Sequence, residues 1–284
     1  MKVHDFRRIL LAVDGSPQSQ NAVEVVADFA PRSAEVQVVH VWNLEVTDAR
    51  GWWDVETRSE AQRLVDGYAA RLTDAGLKAT GRLRTGAATH FAREIAVAAE
   101  EFAADLIAMG SRGRSDLGGL FLGSVSHEVV AQTDRPVLIV RAAPRLAKTT
   151  RRIVLALAGG EEIPSAVGTT ITVARKWQAD VVVLHVSRIV AVEAMAWAEP
   201  AEEARIAVGA AVRELKDAGV PARGQITTGA GPIAEVAEGV DADLIVMGSR
   251  RLGELRGLLT GATDHALVHR IQTPILITER GREA

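Results

Sequence analysis

Gly110, Gly113, Gly123 and Ser124 stand in one stretch, Met109 to Ser126, with the spacing G-x2-G-x9-G-S. Glycines let backbone N–H groups approach an anion with no Cβ in the way. A helix start adds unpaired N–H donors and a positive dipole end. The flanking residues predict both surroundings. Asp105-Leu106-Ile107-Ala108 reads as a strand ahead of the stretch, and Val125 to Ala131 carries a helical pattern behind it. Strand, glycine-rich loop and helix start, in that order, suit a phosphate. Ser124 and Ser126 add hydroxyl donors at the helix start. Arg112 and Arg114 read equally as phosphate contacts or as a solvated loop face.

Other reactive side chains form no recognisable constellation. The chain has no cysteine, which excludes disulfides, thiolate metal sites and cysteine nucleophiles. No Ser-His-Asp arrangement can be assembled. No helix carries two histidines at i, i+4 with a carboxylate, so a metal-site signature is missing. His127 falls four positions after Gly123, but His265 holds the matching place in a later copy of the pattern, which favours a structural role. His40 and His185 pair in the same way on second strands, and are expected to be packed or hydrogen-bonded near the sheet. Trp52 and Trp53 fall in a loop, where they read as a lid, a partner surface or simply loop packing, the last being the expectation.

The elements that must position the glycine stretch follow from hydrophobic periodicity. Ile9 to Val13 is a continuous apolar run ended by Asp14-Gly15-Ser16-Pro17, a strand and a turn. Ser16 is the expected N-cap of a helix over Ser19 to Ala30, with Pro17 at its first position. Strands are expected over Glu35 to Val41, Lys78 to Arg84, Asp105 to Met109 and Pro136 to Val140. Helices are expected over Glu56 to Ala75 and Ala88 to Phe102.

The pattern then restarts. Arg152 to Leu157 matches Arg8 to Val13, Val183-Leu184-His185-Val186 matches Val38-Val39-His40-Val41, and Asp243 to Arg250 matches Asp105 to Arg112. The period is about 140 residues, too long for a solenoid unit, so one domain is duplicated. The expected layout is domain 1 over 1–143, a linker over 144–151 and domain 2 over 152–284. Strands alternating with helices predict an α/β fold with a parallel sheet covered on both faces, doubly wound in each copy. Ligands in such sheets sit beyond the carboxyl ends of the strands, where strand order reverses. The polar and glycine features cluster after strands one and four, as expected if those strands are neighbours across that point.

With 284 residues, 48% of them hydrophobic, the chain can fill two cores. Its net charge of −3 gives no electrostatic footprint for nucleic acid or an anionic membrane surface. No apolar run approaches the roughly 18 residues needed to span a bilayer, and the first residues carry no signal-peptide pattern. The expectation is a soluble cytoplasmic protein.

The glycine spacing, together with an aspartate directly after strand one, closely resembles the universal stress protein family in its tandem-domain form, over essentially the whole chain. The resemblance implies a Rossmann-like, adenine nucleotide alpha-hydrolase-like domain, five strands in the order 3-2-1-4-5, twice. It also implies ATP as ligand, with Mg2+ as a reasonable companion. By position, the implied ATP contacts are Ala12, Val13, Asp14, Val41, Met109, Gly110, Arg112, Gly113, Gly123, Ser124, Val125 and Ser126. The types are compatible. Asp14 can accept from a ribose hydroxyl or the adenine amine, although by itself it also reads as a turn cap. Val13, Val41 and Met109 offer apolar walls. Strand-five edges in this family often pair, which implies an internal pseudo-dimer and a homodimer.

The second copy departs from the pattern. Asp14 becomes Ala158, Gly113 becomes Arg251, Ser124 becomes Ala262, and Val125-Ser126 become Thr263-Asp264, while Gly248 and Gly261 remain. The expectation is one ATP site, in domain 1, on a regulatory or protective stress protein without catalytic residues, hydrolysing ATP slowly at most. One alternative is a nucleotide-independent adaptor or dimerisation module. The other is an adenylating ATP-hydrolysing enzyme, against which stands the absence of a serine/glycine loop at Ala12 to Pro17.

Overall fold

A computed structural model describes residues 5–43, 56–111, 124–141, 151–157, 163–187, 189–192, 195–198, 201–228, 232–248 and 272–278. The chain divides into two compact units, with the boundary between Pro144 and Arg145. The first runs β1 (Arg8–Ala12), α1 (Pro17–Phe29), β2 (Glu35–Asn43), α2 (Arg58–Asp74), β3 (Lys78–Gly86), a 3-10 turn (Ala88–His90), α3 (Phe91–Glu101), β4 (Leu106–Gly110), α4 (Ser124–Gln132) and β5 (Val137–Val140). Its strands lie in the order β3-β2-β1-β4-β5, all parallel. This is the expected 3-2-1-4-5.

Sequence character tracks place in the sheet. The interior strands β1 and β4 are apolar runs, with Ile9, Leu10, Leu11, Leu106, Ile107 and Ala108 all fully buried. Edge strand β3 alternates exposed and half-buried residues. The amino ends of β1 and β4 are tied by one side chain: the Asp105 carboxylate accepts from the N–H groups of Arg7 (2.7 Å) and Arg8 (3.1 Å).

The helix starts have local causes. Ser16 caps α1 by accepting from the Ser19 N–H at 3.2 Å, and Pro17 occupies the first turn. Thr57 and Glu60 form a reciprocal capping box at α2. The backbone bond from Thr57 holds the Glu60 carboxyl below its usual range. Gly76, at φ +87°, ends α2 in a left-handed turn that favours glycine. The helix expected over Ala88 to Phe102 is divided: His90 N–H bonds back to the Ala87 carbonyl at 2.8 Å, a tighter turn, before α3 begins.

Gly67 lies on the exposed face of α2, and a Cβ there would meet nothing within 4 Å. Gly67→Ala is therefore expected to raise stability by about 0.5–1 kcal/mol, because alanine loses less backbone freedom on entering a helix. A urea unfolding midpoint that falls instead would show that this helix position is not the open surface described.

The second unit repeats the architecture. Its elements are β6 (Arg152–Leu157), α5 (Ile163–Trp177), β7 (Asp180–Ser187), a hairpin of β8 (Ile189–Val192) and β9 (Met195–Ala198), α6 (Ala201–Asp217), β10 (Ala222–Thr228), α7 (Pro232–Gly239), β11 (Leu244–Gly248) and β12 (Ile275–Thr278). The parallel order is β10-β7-β6-β11-β12, again 3-2-1-4-5 in its own count. Asp243 accepts from the Arg152 N–H at 2.9 Å, as Asp105 does from Arg8. Gly219 repeats the left-handed turn of Gly76 at φ +77°. The β8–β9 hairpin, antiparallel with Ile189 opposite Ala198, is an addition that the repeat did not predict.

Candidate functional site

In the first unit the chain leaves β1 toward β2 on one side, while β4 flanks β1 on the other. The carboxyl ends of β1 and β4 therefore border the point where strand order reverses, the usual ligand crevice of such sheets. Register aligns these ends: Ala12 pairs with both Val39 of β2 and Met109 of β4. Ala12, Val13, Asp14, Val41, Met109 and Gly110 thus lie at one end of the sheet. Val13, Val41 and Met109 are 5%, 8% and 6% exposed. Asp14 and Gly110 are half-buried.

Asp14 is held in a small network. Its Oδ1 accepts from the Ser16 N–H at 3.0 Å, and its own N–H donates to Ser19 Oγ at 3.4 Å. Ser19 Oγ donates in turn to the Ser16 carbonyl at 2.9 Å. The cap reading of Asp14 is therefore realised through one carboxylate oxygen. Gly110 has a packing cause of its own: a Cβ there would lie 2.9 Å from the Gln18 carbonyl carbon and 3.0 Å from the Ser19 nitrogen, both backbone atoms of α1.

Ser124, exposed, and Val125, half-buried, open α4. Ser126 is buried and donates from Oγ to the Ser111 carbonyl at 3.3 Å, tying α4 to the end of β4. Arg112, Gly113, Gly123 and Arg114 lie outside the described residues, as do Trp52, Trp53 and His265. His127 is half-buried on α4. Among the described residues no group of three or more His, Asp or Glu is placed to hold a metal, and no helix is long and apolar enough to cross a membrane.

One feature of this end of the sheet escaped the sequence reading. Ser111, 1% exposed, follows Gly110, and its buried hydroxyl has no hydrogen-bond partner among the described residues. A buried hydroxyl without a partner is uncommon and calls for a group to bond. Its position inside the glycine stretch was the available signal. His40 on β2 is buried and hydrogen-bonded beside the sheet, as expected, with Nδ1 2.8 Å from the Val13 carbonyl and Nε2 2.8 Å from Glu56 Oε2, partners the sequence did not name. Only its repetition as His185 hinted at a fixed role.

On the opposite face of the sheet, Arg84 bonds Glu94 through Nε (3.1 Å) and Nη2 (3.0 Å) and Glu101 through Nη1 (2.9 Å). The bond from Arg84 holds the Glu101 carboxyl below its usual range. This cluster fastens β3 to α3.

The fold defines a doubly wound α/β protein of two tandem domains, each with a strand-order reversal at the carboxyl ends of its central strands. Comparison with known proteins narrows the class. The model of the universal stress protein family matches residues 5–141 and again 149–279, so the chain belongs to that family. It is 30% identical over 150 residues to a universal stress protein of Bacillus subtilis, a match covering 48% of this chain and 99% of the relative. A universal stress protein of Mycobacterium bovis is 22% identical over 289 residues, covering 96% of this chain and 97% of its own. Among solved structures, a universal stress protein from Archaeoglobus fulgidus superimposes with a TM-score of 0.69 at 24% identity, covering 96% of each chain, and shows the same fold.

Proposed function

We propose that the chain is an ATP-binding universal stress protein whose single nucleotide site lies in the first unit. The reading rests on one juxtaposition. An apolar wall (Val13, Val41, Met109), a carboxylate (Asp14) and a helix start with a hydroxyl (Ser124) share the carboxyl end of the sheet at its strand-order reversal. Adenine suits the wall, a ribose hydroxyl or the adenine amine suits Asp14, and phosphates suit the glycine stretch with the α4 start. The buried, unpartnered Ser111 hydroxyl fits the same ligand class, since phosphate and ribose oxygens both accept hydrogen bonds. Mg2+ would accompany the phosphates as the nucleotide's own counter-ion.

No catalytic residue belongs to this reading, and hydrolysis is at most slow. Bound nucleotide would bias conformation or partner choice in a regulatory or protective role, by differential affinity for two states. A cytoplasmic location, dimerisation through the strand-five edges and the 1–143, 144–151, 152–284 domain limits belong to the same proposal. Purified chain, denatured and analysed by chromatography, is expected to release roughly one ATP per chain. Chain that carries no nucleotide and takes up none when ATP is added would favour a nucleotide-independent adaptor. Rapid turnover to AMP and pyrophosphate would favour an adenylating enzyme.

A further inference from the structure

We propose that His40 and Glu56 form a protonation-dependent clamp on the Val13–Asp14 peptide, which makes His40 a positioning residue for nucleotide in the first unit. The inference rests on the reading that Asp14 contacts that nucleotide.

The parallel ladder between β1 and β2 ends at the Ala12–Val39 pair. The Val13 carbonyl, one residue on, faces the His40 ring at 2.8 Å. A carbonyl only accepts, so Nδ1 carries a proton and donates it. The same peptide is held at its other end, where the Asp14 N–H donates to Ser19 Oγ. Rotation of this peptide plane would carry the Asp14 side chain with it. His40, through the peptide, and the Ser16 N–H, through Oδ1, therefore together set the direction in which the carboxylate points.

The other ring nitrogen faces a second acceptor, Glu56 Oε2, at 2.8 Å. A proton must lie between Nε2 and Oε2, whichever of them carries it. The pair is shielded, with side-chain exposures of 8% for His40 and 17% for Glu56. Glu56 is anchored as well by its backbone, whose carbonyl accepts from Trp42 Nε1–H at 2.8 Å. When the shared proton leaves, the neutral ring keeps one N–H for two acceptors, so a lone pair faces either the Glu56 carboxylate at Nε2 or the Val13 carbonyl at Nδ1, and one of the two contacts must open.

From α2, which packs on this face, Ala61, Val65, Tyr68, Ala69 and Leu72 are the buried residues, and of these only Tyr68 carries a titratable proton. The Glu60 carboxylate is engaged by Thr57, Asp66 accepts from Gln62, and Arg58 and Arg63 are exposed. Asp14, on the β1 side, accepts from the Ser16 N–H through Oδ1. Arg84, Glu94 and Glu101 belong to the other face: Glu94 and Val41 both approach the site of a Gly86 Cβ, and Val41 neighbours His40 in the strand. The second unit differs at the matching place. There the ladder continues through a Leu157–His185 pair, so the backbone reaches one residue further than in the first unit.

The test uses the full chain with 15N-labelled histidine and backbone, followed by magnetic resonance from about pH 5 to about pH 10. The Asp14 amide resonance is expected to move with the same midpoint as the His40 ring. Calorimetric ATP affinity is expected to fall roughly tenfold as that proton is lost, the scale of one hydrogen bond to a charged group. Glu56→Gln is expected to flatten the profile, because its amide can donate to the Nε2 of a neutral ring. The wild-type to variant ratio removes the titration of ATP itself. An Asp14 amide that ignores the His40 midpoint overturns the clamp, as does the same pH profile in both proteins. If the variant does not fold, the wild-type spectra alone decide. Coupled titration in a chain that binds no ATP would support the clamp and overturn the nucleotide reading instead.

Discussion

Gly110→Ala is expected to destabilise the first unit by about 2–3 kcal/mol, the upper range for overpacking a tight contact. The added Cβ would sit 2.9 Å from the Gln18 carbonyl carbon, 2.9 Å from Gln18 Cβ and 3.0 Å from the Ser19 nitrogen. A flexible side chain could swing away from such a clash; a helix backbone cannot. Moving the first turn of α1 would disturb the Ser16 cap, the Ser19 bond to Asp14 and the packing of α1 on β4. The same variant is therefore expected to weaken ATP binding indirectly, by shifting the turn that holds Asp14. Urea midpoints and calorimetry on the same preparations check both effects. A variant as stable as the wild type would show that α1 is not seated against β4 as described. A destabilised variant with unchanged ATP affinity would separate the packing role of Gly110 from the site.

Gly110 also marks where sequence reasoning stops. Its place in the glycine spacing assigned it to phosphate approach, and spacing carries no information on what lies across from a strand. The structure adds a close helix contact that glycine satisfies by itself. Gly81 and Gly224 make the same point on the third strands of the two units, where a Cβ would meet the Val65 backbone at 2.9 Å and Val208 Cγ1 at 2.4 Å.

Local signals fared differently. Ile9 to Val13 and the turn after it predicted β1, and Ser16-Pro17 predicted the start of α1, because apolar runs, caps and proline act within a few residues. Strand order is not local, and 3-2-1-4-5 came from the family resemblance. The β8–β9 hairpin was missed because Ile189 to Ala198 is apolar almost throughout and carries no Gly, Pro or Asn turn signal. The His40–Glu56 pair spans 16 residues of chain and closes on a carbonyl 27 residues earlier. No periodicity encodes such a meeting.

Asp14→Ala, which copies Ala158 of the second unit, is expected to lower ATP affinity roughly 10- to 100-fold, the loss of about 1.5–3 kcal/mol from a hydrogen bond to a charged group. Alanine also removes the acceptor for the Ser16 N–H, so the turn itself would loosen. Asp14→Asn separates the two effects. Its amide oxygen can still accept from Ser16, while the charge is gone, so an Asn variant that binds like the wild type would show that only the turn matters. The second unit is the natural form of this experiment. It keeps the five-strand order, the Asp243 tie and the left-handed Gly219, all of which serve the fold. At the positions corresponding to Asp14, Gly113 and Ser124 it has Ala158, Arg251 and Ala262. Loss at the positions proposed to face the nucleotide, beside retention of these packing positions, is the pattern expected when a domain keeps its fold without its ligand. Calorimetry on the wild-type chain is then expected to give about one ATP per chain. Gly113→Arg, which brings the second unit's arginine into the first, is expected to remove that binding. Two equal sites per chain would overturn the assignment of the second unit, and undiminished affinity in Gly113→Arg would show that this glycine does not cradle phosphate.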